Sequence, residues 1–279
     1  MRRYGIRKTI RSVATIGIAG AASLFAYSSA FAAFGQPGGV TDEARDMHNL
    51  YLVTLAIAAV VFLAVQGALI YIIIRYRRGK REDMPAQIHG SNIVEFIWVG
   101  IPVAIVLALF TYTVIVLNTV ERGADEDDMS VHVQGFQFGW EFTYSMDNLG
   151  PERSEAGSDE EFSIVGAGLD SPELVIPVDE RVEFQLQSDD VIHSFYVVDF
   201  LYKLDLVPGR DNRFAVTPRE TGVYQGYCAE LCGVDHALMR FTVRVVEQDE
   251  FDDWVEEMRG GGEEAVSGAS DTTSAVREP

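Results

Sequence analysis

Lysine is almost missing from this chain. Lys8, Lys80 and Lys203 stand against 19 arginines. Cysteine is scarcer still, with Cys228 and Cys232 the whole complement, so at most one internal disulfide can form. No Cys-x-x-Cys-His occurs, which excludes a fused domain carrying covalently attached c-type haem. No glycine-rich nucleotide-binding motif and no internal repeat is present. Positive charge is also short. The formal net charge is −20, which excludes nucleic acid as a partner and favours basic ones. Scarce lysine with strong acidity fits a salt-loving host; an acidic docking face with an acidic tail fits it equally.

What charge there is lies unevenly. Residues 1–120 carry 11 Lys and Arg against 6 Asp and Glu, and residues 121–279 carry 11 against 36. The apolar residues gather in the first 120 positions. That division separates a membrane-anchoring half from an acidic exposed half. The N-terminus has the form of a signal peptide over 1–33. Arg2, Arg3, Arg7, Lys8 and Arg11 precede an apolar stretch from Val13 to about Ala26, and small residues at Ser28-Ser29-Ala30 and Ala30-Phe31-Ala32 offer cleavage sites. Residues 34–49 follow as an outer segment.

Two apolar runs predict membrane helices over 50–76 and 93–118. The first has no charge from Leu50 to Ile74 and is followed at once by Arg75, Arg77, Arg78, Lys80 and Arg81. A basic cluster of this kind stays in the cytoplasm, so residues 77–92 form the inner loop and everything after Glu121 lies outside. Pro102 is tolerable inside a membrane helix. Glu95, near the cytoplasmic end of the second span, is either an interfacial carboxylate or a functional group.

From Met129 onward the periodicity shortens to two. Val131, Val133, Phe136, Phe138, Trp140, Phe142 and Tyr144 show a largely period-two pattern, and further strands read at 174–177, 181–187, 191–198, 212–216, 223–227 and 240–246. Many short strands over 121–248 predict a β-sandwich. The acidic stretch 151–161 reads as an exposed loop. Residues 249–259 read as a short helix, and a disordered acidic tail is expected from there to 279.

Both cysteines fall in one segment, Cys228-x3-Cys232-x3-His236-x2-Met239. Two thiolates, an imidazole and a thioether make a soft donor set that selects copper or another thiophilic metal over magnesium or calcium. His193, on the strand 191–198, can supply a second imidazole from a neighbouring strand. Two thiolates can bridge two metal ions and share one unpaired electron between them, which limits the bond-length change on reduction. Three other readings compete: a Cys228–Cys232 disulfide, a structural Cys2His2 zinc site, and ordinary core roles for His193 and Met239. A soft-metal site held just outside a membrane suggests electron transfer into a membrane complex.

The chain resembles subunit II of the haem-copper oxidases, the cytochrome c oxidase family. The match is carried by His89-Gly90…Glu95…Trp98…Pro102, by Gly135-Phe136-Gln137…Trp140, by Asp190-Val-Ile-His-Ser-Phe195, by Lys203…Asp205…Val207-Pro-Gly209, and by Tyr224…Gly226…Cys228-Ala-Glu-Leu-Cys-Gly233. The resemblance implies a cupredoxin domain with a binuclear copper A centre. In it Cys228 and Cys232 bridge, His193 and His236 each hold one copper, and Met239 and the Glu230 carbonyl are weak ligands. It further implies a magnesium ion held by the Glu230 side chain with subunit I, and a proton-uptake role for Glu95. Subunit I and subunit III are the implied membrane partners, with lipid around them. It also implies an external electron donor, a cytochrome c or a small blue-copper protein.

Two positions depart from the family pattern. Phe138 stands where a tryptophan usually accepts electrons from the donor, which leaves Phe138 and Trp140 as candidates for that step. Arg240 stands where a proline is common. A nitric oxide reductase subunit would carry the same donor set, and a membrane-tethered copper carrier is a non-enzymatic alternative. A quinol oxidase subunit lacks these ligands.

Overall fold

The computed structural model describes residues 36–77, 87, 90–149 and 160–269. The signal peptide, most of the inner loop with His89, most of the acidic stretch 151–161 and the last ten residues lie outside them.

Helix α1 spans Asp42–Arg75 and α2 spans Asn92–Val120. The first begins well before the apolar run. Thr41 sits in extended backbone as its N-cap, its Oγ1 accepts from Ala44 N at 3.1 Å, and Asp42 and Glu43 occupy the positive end of the helix dipole. Both helices are long and apolar enough to cross a membrane. Their large side chains face outward, with Phe96 79 % exposed. An apolar surface this extensive is at home in lipid, not in water.

The rest is a β-sandwich of two five-stranded sheets. Its strands are β1 Met129–Phe136, β2 Gly139–Ser145, β3 Glu161–Ala167, β4 Glu173–Pro177, β5 Val182–Ser188, β6 His193–Val197, β7 Tyr202–Leu206, β8 Asn212–Val216, β9 Gly222–Cys228 and β10 Arg240–Val246. One sheet has the order β3-β2-β1-β5-β8 and the other β4-β10-β9-β6-β7. The pairs β1–β5 and β4–β10 are parallel; the rest are antiparallel. Strands β1, β2 and β5 bury alternate residues, because one face meets the opposite sheet and the other meets solvent. The sequence reading missed β3 and β7, which are both edge strands.

Aromatic rings fill the space between the sheets. Phe195 stacks on Phe241 with centroids 4.7 Å apart, and Trp140 meets Phe241 edge-on at 5.2 Å. Gly226 leaves room for this packing, since a Cβ there would come within 2.1 Å of the Phe241 ring. A third helix, α3 Gln248–Ala269, closes one end and runs well beyond the 249–259 expected. Phe251 is fully buried, and Trp254 packs on Tyr144 at 5.2 Å. Phe251→Ala should therefore destabilise the sandwich by about 3–5 kcal/mol. Thermal unfolding of the purified chain, followed by tryptophan fluorescence, checks this; an unchanged midpoint would mean that α3 is dispensable.

Candidate metal centre

The soft donors converge at one end of the second sheet. His193 opens β6 and Cys228 closes β9, and these strands are neighbours, with Phe195 opposite Cys228. The chain then leaves the sheet and returns as β10. The return is pinned at its base: Cys228 N donates to Met239 O at 3.0 Å, and Ala229 N to Ser194 O at 3.0 Å. Cys232, His236 and Met239 are thereby folded back over Cys228.

Four of the six side chains named from the sequence are buried: His193, Cys228, Cys232 and Met239. The ligating atoms of His193, Cys228 and Cys232 lie within 4.8 Å of one another. The donors fall into two groups. Cys228 Sγ is 3.9 Å from His193 Nδ1 and 3.2 Å from Glu230 O. Cys232 Sγ is 3.6 Å from His236 Nδ1 and 3.2 Å from Met239 Sδ. His236 is half-buried, and the Glu230 side chain is exposed. Both cysteines are free thiols here, without the disulfide weighed from the sequence.

Electrostatics set the two sulfurs apart. Burial pushes the Cys228 thiol up, but hydrogen bonds with His193 and with the backbone of Glu230 and Ser194 bring it down to about 7. Burial and the charge on Cys228 push Cys232 up to about 12. One thiolate forms readily, and the second is held protonated by the first. A cation between them removes that repulsion, since metal binding and thiol deprotonation are linked. The sulfurs, imidazoles and thioether suit copper, whereas a thioether adds little for zinc.

Residues beyond the expected set hold the site in place. The Asp190 carboxylate accepts from His193 Nε2 at 2.8 Å, Val191 N at 2.6 Å and Gln137 N at 2.6 Å. These bonds outweigh the burial that would raise its pKa and hold it below the usual carboxylate range. Burial lowers the His193 pKa, but bonding to Cys228 and Asp190 more than offsets it. With Nε2 on the carboxylate, Nδ1 faces the sulfur. Gln137 also donates from Nε2 to Cys232 O at 2.6 Å, tying the β1–β2 turn to the metal loop. Asp190 and Gln137 stood inside the quoted motifs, yet only the fold reveals what they touch.

The remaining candidates are dispersed. Phe138 is half-buried against the loop; a Cβ on Gly233, whose φ is +144°, would meet its ring at 2.8 Å. Trp140 is fully buried, its ring centroid 6.3 Å from that of His193, so no external donor can touch it. Glu95 lies in the first turn of α2, at the opposite end of the helix from the sandwich. Arg240 is exposed on the rim of a cleft of about 900 Å³ that reaches Cys228 and His236.

A membrane-anchored sandwich presenting a buried cluster of sulfur and imidazole donors outside the lipid defines the class. Comparison with known proteins agrees. The family described as cytochrome C oxidase subunit II, periplasmic domain, matches residues 129–246, and its transmembrane domain matches residues 30–116. A probable cytochrome c oxidase subunit 2 from Streptomyces avermitilis is 30 % identical over 94 % of this chain and 90 % of its own length. Cytochrome c oxidase subunit 2 of Alkalihalophilus pseudofirmus is 32 % identical over 80 % of this chain and 61 % of its own. Among solved structures, the periplasmic domain of subunit II of cytochrome oxidase from Bradyrhizobium japonicum covers 48 % of this chain and 96 % of its own, with 31 % identity and a TM-score of 0.40. The chain belongs to the cytochrome c oxidase subunit II family, and it is a component of an oxidase complex with a membrane anchor and an outer domain.

Asp190→Ala should release the His193 ring and weaken copper affinity by about 10–100-fold. Competition with a chelator of known affinity measures this; an unchanged affinity would show that the strand backbone alone orients the imidazole.

Proposed function

We propose that this chain is the electron-accepting subunit of a terminal haem-copper oxidase. It takes electrons outside the membrane from a cytochrome c or a small blue-copper protein and hands them to haem in subunit I, where oxygen is reduced to water and protons are translocated. The observation that carries the reading is the pairing of two buried cysteines, each with its own imidazole.

Copper bound here as a binuclear copper A centre supplies the one-electron couple. Cys228 and Cys232 would bridge the two ions. His193 and His236 would each complete one of them, with Met239 and the Glu230 carbonyl as weak ligands. Burial of the sulfurs among aromatic rings keeps water from reorganising around them, which favours fast transfer over catalysis at the site itself. It also sets the chain apart from a copper carrier, whose ligands must be open to exchange. The exposed Glu230 side chain would hold a magnesium ion together with subunit I. Glu95, at the inner end of α2, would stand at the mouth of a proton path into that subunit. Phe138, half-buried on the β1–β2 turn against the metal loop, is the better placed of the two rings for receiving electrons. Subunit III and lipid complete the surroundings, with both termini and the copper domain outside.

In the purified complex, Cys228→Ser or Cys232→Ser should abolish donor oxidation, and the unaltered chain should hold two coppers that share one unpaired electron. Metal analysis and electron paramagnetic resonance test this. A single isolated copper, or zinc, would sink the proposal.

With 36 acidic against 11 basic residues after position 120, association with a basic donor should be steered. Donor oxidation should slow by on the order of tenfold or more between low and roughly physiological ionic strength. A rate indifferent to salt would point to an uncharged contact.

A further inference from the structure

The sandwich is joined to its anchor by one stretch of chain, 121–128 after α2, and meets residues 40–41 ahead of α1 through backbone hydrogen bonds; a single flexible joint would let it rock. A cluster around Arg181 spans both places. Glu43, in the first turn of α1, is 2 % exposed. Its Oε1 meets Arg181 Nη1 at 2.7 Å, and its Oε2 accepts from Thr217 N at 3.0 Å. Arg181, just ahead of β5, also donates from Nη2 to the carbonyl of Arg122 and from Nε to that of Gly123 at 3.4 Å, where the chain leaves α2. One guanidinium thus bonds to the start of α1, the end of α2 and the sandwich. Around it, Thr41 bridges Pro218, Asp42 N donates to Thr217 O at 3.1 Å, and Arg219 pairs with Asp42 at 2.7 Å and Asp179 at 2.8 Å.

The position of this cluster gives it leverage. Strand β5 starts beside Arg181 and ends at Ser188, next to Asp190, the carboxylate that holds His193. It is about 20 Å long at roughly 3.3 Å per residue. A rotation of the sandwich about its joint therefore moves the far end of β5, and the metal site with it.

We infer that the Glu43–Arg181 pair, with the carbonyls of Arg122 and Gly123, is a positioning device: it locks the copper domain at one angle to the membrane helices and so fixes the distance over which electrons pass to the partner subunit. The second half of the statement rests on the function proposed above; the first half stands on this chain alone. Lysine cannot replace Arg181, because an ammonium is a single point and cannot reach three partners in different directions as the planar fork does.

The test uses the copper-loaded full chain in lipid nanodiscs. Asn49→Cys, on exposed α1 surface, adds one labelling site beyond the two metal-bound cysteines. Pulsed electron resonance then gives the distance distribution between the nitroxide and the copper pair. Arg181→Gln and the milder Arg181→Lys should broaden that distribution while leaving the copper spectrum and reduction potential unchanged. In the assembled oxidase the same variants should slow transfer from copper to haem by on the order of tenfold, as expected when a remote change misplaces reacting centres by an ångström or so. An equally narrow distribution in both variants overturns the lock, and a broadened one with undiminished transfer overturns its role in setting the distance. Should the unaltered chain lack a delocalised copper signal, the proposed function fails instead, and two nitroxides, one on each side of the joint, still decide the lock.

Discussion

Two thiols buried within a few ångströms of each other cannot both ionise unless something positive lies between them. That constraint organises the outer domain. The Cys228 thiolate is stabilised by His193 and nearby backbone, while Cys232 is held neutral by burial and by its neighbour. The arrangement is poised to exchange a proton for a metal ion. The surrounding residues keep this costly pair in place: Asp190 aims one imidazole, Gln137 anchors the loop carbonyl, and Gly233 yields space to the Phe138 ring.

The scarcity of lysine acquires a structural meaning beside this. Several arginines of the outer half act as forked connectors. Arg181 and Arg219 join the sandwich to the start of α1, Arg244 pairs with both Glu173 and Glu250, and Arg259 pairs with Glu160. Exposed pairs of this kind contribute little individually. The Glu43–Arg181 pair differs, because Glu43 is buried and removing Arg181 would leave its charge uncompensated away from water. Acidity on the surface and arginine at the joints are thus two uses of charge in one domain.

Much of this was legible in the sequence, and the failures have physical causes. The two helices announced themselves by apolar length. The central strands did so by alternation, since one face of each is sealed against the other sheet. Strands β3 and β7 escaped notice because both are sheet edges: Phe162, Ile164 and Gly166 alternate only weakly with solvent-facing residues, and in β7 Leu206 alone is fully buried. The early start of α1 was signalled by Thr41-Asp42-Glu43, a cap and acidic first turn, but the apolar run drew attention to its own boundary. Cys228, Cys232, His236 and Met239 were conspicuous by spacing. His193 was less so, and Asp190 and Gln137 had no readable role, because their partners lie 3 to 95 positions away and meet only in the fold. Glu43 was unreadable for the same reason, as nothing local marks a carboxylate for burial. Trp140 misled in the other direction: a tryptophan beside the motif suggested a surface ring, and the fold placed it in the core.

The metal loop itself distinguishes a subunit from a free-standing carrier. Leu231 is 78 % exposed and Val234 92 %, and both sit among the donors in an otherwise strongly acidic domain. Leu238 is exposed as well. Single exposed apolar residues are ordinary, but three on a loop that encloses buried thiols are not placed there by the needs of the loop, which is held by Gln137 and by backbone bonds to Ser194 and Met239. A permanent neighbour gains contact area next to the metal site at little desolvation cost. Apolar tips beside a largely buried donor cluster, on a domain joined to two membrane helices, are what a chain requires if it is to work only when seated against a larger partner.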